Sequence, residues 1–434
     1  MTSVSVLGGG PAGLYAAWKA ALAGHDVVVH ERAPHPGGMA ASFELAGIRV
    51  DHGSHRLHPA TDPAILAELR GLLGDDLQWR PRNGRIRLED RWVRFPLSLP
   101  DVVRHLPRSF AAGVVRDTLA SPIRRPRVDT FAEVVRAGLG PTMLDRFYGP
   151  YARKLWGLDP ELLSGEQARR RIGASSPAAL VRKVVRKGPA GFWYPTHGFG
   201  QLTERLAEAA VAAGADVRCG SEVAALDEVD ADVVWSTLPL TTLARIGGGP
   251  DVALTFRALV LVYLVLDRAQ WTTWDAHYLP GPETIASRVS EPRNYRVRAD
   301  DAPDRTVLCA ELPCQVGDDV WSATDDELGA VVADGLARCG LPAVAPVDVV
   351  TRRVPAAYPV YALGFEQPLA ELERWAASLP NVVSFGRGGL FAHDNTHHAL
   401  AEGRVAAACL GDGRWDAPAW SRARAAFAAH VVED

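Results

Sequence analysis

A glycine-rich turn between an apolar strand and a helix constrains this chain more than any other stretch of its 434 residues. Val4-Ser5-Val6-Leu7 reads as a strand. Gly8-Gly9-Gly10-Pro11-Ala12-Gly13 reads as a tight turn that opens a helix running from Leu14 to Ala23. Asp26-Val27-Val28-Val29-His30 then makes a second strand that ends in Glu31. In such a strand-turn-helix-strand unit Gly8 permits the sharp turn, Gly10 lets backbone approach a pyrophosphate, and Gly13 lets helix and strand pack closely. Pro11 and Ala12 lie in the turn before the helix, whose N-terminus faces the anion. An acid placed like Glu31 accepts hydrogen bonds from a ribose 2′-hydroxyl, which selects FAD or NAD over NADP. Beyond Glu31 the chain reads Arg32-Ala33-Pro34-His35-Pro36-Gly37-Gly38-Met39. A second glycine pair there can run beside the pyrophosphate and ribityl chain, a requirement of FAD more than of NAD.

Length and composition exclude several alternatives. A chain of 434 residues with 47% hydrophobic content exceeds what one core usually organises, so two domains are expected. A formal net charge of −4 supplies no global basic field, so no nucleic-acid partner is expected. The five cysteines are scattered without a CxxC pair, which suggests neither zinc nor a disulfide framework and fits a reducing cytoplasm. The first apolar segment holds the cofactor strand without a positively charged stretch before it, so a signal peptide is not expected there. Leu254 to Leu266 is the most apolar run, but it carries Arg257 and is too short for a membrane span; it reads as a buried strand, and membrane contact is not expected.

The pattern along the chain predicts an α/β protein: a Rossmann-type dinucleotide domain from residues 1–75, 190–245 and 376–434, with an inserted mixed α+β substrate or lid domain from 76–189 and 246–375. Arg85 to Leu88 and Trp92 to Pro96 read as a hairpin. Helical periodicity runs from Phe131 to about Val185 with a break at Pro160, and an amphipathic helix from Gln201 to Ala213. His393, His397 and His398 resemble metal ligands at first sight. They bracket a helix start with Asn395 as its N-cap and Thr396 following, so no metal is expected.

Several motifs are similar to those of the FAD-dependent superfamily of glutathione-reductase-like fold that holds UDP-galactopyranose mutase, protoporphyrinogen oxidase and the amine oxidases. They are closest to the mutase. Gly53-Ser54-His55-Arg56-Leu57-His58 resembles its histidine loop beside the flavin. Phe147-Tyr148-Gly149-Pro150-Tyr151 through Trp156-Gly157 resembles its nucleotide-binding stretch, and Arg170 and Ser287-Arg288 its two diphosphate arginines. Tyr358 in Ala357-Tyr358-Pro359 and Arg387 in Gly386-Arg387 match as well, and Val223 falls where the family packs the adenine. The resemblance implies FAD held by Gly8, Gly10, Pro11, Ala12, Gly13, Glu31, Arg32, Gly37, Gly38, Met39, His55, Val223, Gly386, Arg387, Asn395 and Thr396. It implies His58, Arg170 and Arg288 at the reaction centre, with Phe147, Tyr151, Trp156, Tyr358 and Phe391 around the substrate. The implied activity is pyranose–furanose isomerisation of a nucleotide sugar or related phosphorylated glycoside by flavin N5 chemistry, with a reductant such as NAD(P)H to reduce the flavin. Two departures leave this open. Leu312 and Phe391 stand where the family keeps tyrosines. The alternatives are an FAD-dependent oxidase, dehydrogenase or desaturase in a biosynthetic pathway, and a flavin-binding subunit without turnover. The number of subunits is open, a homodimer included.

Overall fold

The computed structural model describes residues 1–95, 101, 104–120, 128–172, 191–298 and 301–432. Its first layer is a five-stranded parallel sheet in the spatial order Val382–Ser384, Val233–Ser236, Ser3–Leu7, Asp26–Glu31 and Asp216–Cys219. The central strand Ser3–Leu7 is buried at four of its five positions, as expected for a strand covered on both faces. Helix Pro11–Leu22 lies over it. The turn between them depends on two glycines. Gly8 sits at φ +107°, and a Cβ on Gly13 would come within 2.2 Å of the Gly8 carbonyl oxygen. The same helix packs against Thr396–Leu410 and Gly200–Ala212. A Cβ on Gly403 would lie 2.3 Å from the Ala12 carbonyl oxygen, so the first of these contacts is backbone against backbone.

The second layer is a seven-stranded sheet in the order Asp348–Val360, Thr255–Leu266, Thr306–Cys314, Arg288–Ser290, Ala276–Tyr278, Gly84–Leu88 and Arg91–Phe95. All its pairings are antiparallel except Ala276–Tyr278 with Gly84–Leu88. Thr255–Leu266 is the apolar run noted above. It is buried from Arg257 onward and sits between two antiparallel neighbours, which explains a β-branched sequence without alternation. The hairpin pairs Arg85 with Arg94 and Ile86 with Val93; its expected last residue, Pro96, lies outside the described residues.

Helices Phe131–Gly138, Gly149–Trp156 and Gly165–Ile172 form a third group, joined by a π-helical turn at Leu144–Tyr148. Thr130 caps the first of them, its side chain accepting from the Glu133 N–H, and Gly157 ends the second in the left-handed region at φ +70°. The expected continuation of helix to about Val185 lies outside the described residues beyond Ile172. No helix among the described residues is long and apolar enough to cross a membrane.

Candidate functional site

A cavity of about 1020 Å³ opens between the C-terminal ends of the parallel strands and the antiparallel sheet. That is the upper end of the range for small-molecule sites, and it lies where ligands of open parallel sheets bind. Gly8, Gly10, Pro11 and Ala12 form one wall, where nothing lies within 4 Å of the position a Gly10 Cβ would take. The helix beginning at Pro11 has no side-chain cap, so its first N–H groups are available to an anion. Glu31 lines the same wall. Its Oε2 accepts from the Gly9 N–H and its Oε1 from the Ala33 N–H, both at 2.8 Å. The carboxylate therefore holds the glycine turn, and each oxygen keeps a lone pair for a further donor.

Arg32, Gly38, Met39, His55, Val223, Gly386, Arg387, Asn395 and Thr396 also line this cavity, as do His58, Arg288 and Tyr358. Gly13 and Gly37 do not. Gly13 provides the close helix packing described above. Gly37, at φ +123°, donates its N–H to the Gly9 carbonyl at 2.7 Å and ties the two glycine loops together.

Five expected substrate or reaction residues sit elsewhere. Arg170 turns away from the cavity, pairing with Glu166 at 2.6 Å and donating to the His430 carbonyl at 3.0 Å; its neighbour Arg171 lines the cavity in its place. One residue rotates a helical side chain by about 100°, which the sequence pattern could not resolve. Phe147 and Trp156 are buried in the core of the helical group, and Tyr151 packs against that core, its ring stacked on Phe147 at 5.9 Å. Their spacing is that of a core-facing helical stripe. Phe391 is fully buried among Phe256, Tyr361 and Phe365, with Tyr361 donating to its carbonyl at 2.9 Å.

The cavity is cationic in a protein of net negative charge. Among the described residues nine arginines line it against three carboxylates, Glu31, Glu222 and Asp394. Arg56 is neutralised by Asp275 at 3.2 Å and donates to the Tyr278 and Tyr295 hydroxyls. Arg288 is held by Glu311 through contacts of 2.7 and 2.8 Å. Arg171 and Arg387 differ: they lie 5.9 and 5.1 Å from the Tyr358 ring centroid, and neither has a carboxylate within ion-pair distance among the described residues. Burial, and the neighbouring Arg171, lower the pKa of Arg387, although Tyr358 and Asp394 oppose the shift. The sequence did not single out Arg56, Arg171, Arg352 or Asp394; arginines in mixed charge runs carry no pattern that separates cavity from solvent.

His55 is neutral in this setting. Burial lowers its pKa, its Nε2 lies 2.9 Å from the His52 carbonyl, and its ring stacks on Phe199 at 5.4 Å. His58 stacks on His397 at 5.3 Å, which joins the histidine loop to the start of helix Thr396–Leu410.

Residues 6–71 match the family described as NAD(P)-binding Rossmann-like domain. Among solved structures the chain is similar to reduced UDP-galactopyranose mutase, at 19% identity over 94% of each chain with a TM-score of 0.79. It has their shared fold. A provisional protoporphyrinogen oxidase of Exiguobacterium sp. 255-15 is similar at 19% identity over 94% of this chain and 98% of that one, TM-score 0.73. Putrescine oxidase bound to putrescine follows at 19% identity, with the same shares covered and a TM-score of 0.62. No curated protein sequence matches. The fold shared with these enzymes is thus a parallel Rossmann-like domain joined to an antiparallel-sheet domain.

Proposed function

We propose that this protein is an FAD-dependent enzyme acting on a small anionic substrate, and that its substrate is a phosphorylated glycoside of the nucleotide-sugar type. Support for FAD comes from the open face of Gly10, the uncapped helix at Pro11, the second glycine loop tied to the first, and the FAD-binding enzymes that share the fold. Bound FAD would supply an isoalloxazine ring able to exchange an electron pair with a substrate carbon. The chain's own residues do the rest. The glycine turn and helix N-terminus hold the pyrophosphate, Glu31 takes the adenosine ribose, and His55 and His58 form the loop beside the ring.

One observation carries the substrate reading: Arg171 and Arg387 converge on Tyr358 with no carboxylate at ion-pair distance among the described residues, beside an Arg288 already neutralised by Glu311. Two such guanidiniums suit a phosphate or diphosphate, which they can grip with charge-assisted paired bonds. A net isomerisation of the mutase type would follow, with the diphosphate as the group held while the sugar bond is broken and remade.

The inward packing of Phe147, Tyr151 and Trp156 and the hydroxyl-free Phe391 favour a second reading, an FAD-dependent oxidoreductase whose anionic substrate carries no base to stack. Stopped-flow mixing of the oxidised holoenzyme with nucleotide sugars, and separately with amine and carbon acid substrates, separates the two. Turnover only after dithionite reduction, without net flavin change, supports isomerisation. Bleaching of the visible flavin band by substrate supports oxidation and removes the mutase reading. A colourless protein that gains no colour with added FAD removes both.

A further inference from the structure

Helix Thr396–Leu410 carries a polar cluster that the reading above does not use. Asp394 lies just before the helix and lines the cavity, Glu402 lies two turns along it, and His398 and His430 pack beside them. Both carboxyl groups are buried, at 4% and 0% exposure. One oxygen of each is occupied. His430 Nδ1 lies 3.0 Å from Asp394 Oδ1, and the Gly386 N–H donates to Glu402 Oε2 at 2.6 Å. Asp394 Oδ2 and Glu402 Oε1 are buried without a hydrogen-bond partner among the described residues, and both carboxyl groups face one imidazole, His430 Nδ1 lying 3.0 Å from Asp394 Oδ1 and 3.9 Å from Glu402 Oε1. Two buried carboxylates beside one imidazole cannot both stay ionised without strong repulsion; one proton between them satisfies both orphaned oxygens.

A metal ion is the other way to fill such a cluster, because Asp394, His398 and His430 offer ligand atoms within 4.8 Å of one another. The rings argue against it. The imidazoles of His398 and His430 are stacked at 4.1 Å with only 14° between their planes, so their in-plane lone pairs run side by side and do not meet at a point. His398 Nδ1 is also engaged by the Asn395 N–H at 3.2 Å.

We propose that Asp394 and Glu402 share one proton and form an internal acid that protonates the ligand of the cavity. The Glu402 Oε1–H bond breaks as Asp394 Oδ2–H forms, and Asp394 passes that proton to a basic atom of the ligand as negative charge develops at the helix N-terminus. His430, partly exposed, replaces the proton from solvent: its Nδ1–H is given to Asp394 while its Nε2 takes a proton from water. The charges facing the pair fit this direction. Burial raises the Glu402 pKa well above the usual range, with Asp394 adding to it; at Asp394 burial acts the same way, but interactions with His430 and Glu402 outweigh it and keep its pKa low. Arg424 from the last helix opposes the rise at Glu402, while Arg387 and Tyr361 sense the Asp394 charge from the neighbouring segments. Only the destination of the proton rests on the cavity being a flavin site; the shared proton does not.

The test is infrared spectroscopy of the purified protein in H2O and D2O at neutral pH, then flavin redox difference spectra. A protonated-carboxyl stretch, shifted by D2O, is expected in the resting protein. Glu402→Gln, which can keep the bond to Gly386 as a neutral isostere, should abolish it; the exposed Glu371→Gln should leave it. Photoreduction of the holoenzyme should bleach the same band transiently, before His430 restores the proton from solvent. A spectrum without that band, or a band that survives in Glu402→Gln, overturns the shared proton. A stoichiometric divalent metal that survives dialysis, with the band appearing only after chelation, also overturns it. A band that does not respond to reduction overturns delivery to the cavity. If the protein takes up no flavin the function reading fails, and the resting spectrum still decides the pair.

Discussion

The Arg387 guanidinium lies 5.1 Å from the Tyr358 ring centroid with its Nε buried and unbonded among the described residues. A buried guanidinium over an aromatic face, with no carboxylate at ion-pair distance among the described residues, suits an anion receptor. Arg387→Gln is therefore expected to weaken binding of uridine diphosphate by about 10- to 100-fold, the equivalent of a charge-assisted bond of ~1.5–3 kcal/mol. Calorimetric titration of wild type and variant measures it. Equal affinities would mean that the anion binds elsewhere.

Trp156 gives a contrasting expectation. At 5% exposure, with its ring 5.4 Å from Phe131, it belongs to the core of the helical group. Trp156→Ala should cost about 3–5 kcal/mol of stability, seen as a lower urea midpoint. The affinity for uridine diphosphate of the molecules that remain folded should stay as in wild type. A specific loss of nucleotide affinity at unchanged stability would restore the base-stacking role that the sequence motif suggests.

Glu31 has a double duty that its place in the fingerprint does not reveal. Its carboxylate satisfies the Gly9 and Ala33 N–H groups before any ribose arrives. Glu31→Ala should thus lower the stability of the apoprotein as well as flavin retention, by about 1–3 kcal/mol for each N–H left buried without a partner. Thermal melts of the apoprotein and the flavin-to-protein absorbance ratio separate the two effects. An apoprotein melt unchanged by the substitution contradicts the loop-bracing role.

Buried histidines set an acid limit. Burial lowers the pKa of His277 from 6.5 to about 3, and that of His397 likewise to about 3. These groups stay neutral in the folded protein and take up protons when it unfolds, so stability present above pH 6.5 is lost as pH falls toward 3. Each contributes a slope of up to ~1.4 kcal/mol per pH unit in that window. Urea unfolding at a series of pH values should show it. His277→Leu, at a side chain packed against Trp92 and Trp271, should flatten the profile by close to one proton. A slope identical to wild type would show that His277 is already protonated in the native state.

The parts of this architecture legible in the sequence are those governed by local physics. The strand, glycine turn, helix and second strand from Ser3 to Glu31 follow from backbone sterics and alternation within a short window. The buried strand Thr255–Leu266 declares itself by composition. Side-chain direction is another matter. Arg170 and Arg171 are equivalent in any motif, yet one clamps the C-terminal segment and the other faces the cavity. Phe147, Tyr151 and Trp156 show a spacing that a base-stacking face and a core-facing stripe share, and only packing against Phe131 and its neighbours distinguishes the two. Asp394, just before a helix, and Glu402, eight positions on and within it, become chemically unusual only once burial removes water from both.

Helix Pro11–Leu22 is translated well before the surface that covers it, Thr396–Leu410 with Gly403 pressed on Ala12. Edge strand Val382–Ser384 likewise joins Val233–Ser236 across a long separation in sequence. A nascent chain therefore carries this cavity unfinished until those segments emerge. Such long-range closure makes for slow folding and leaves the apolar face of the first helix uncovered until Thr396–Leu410 docks.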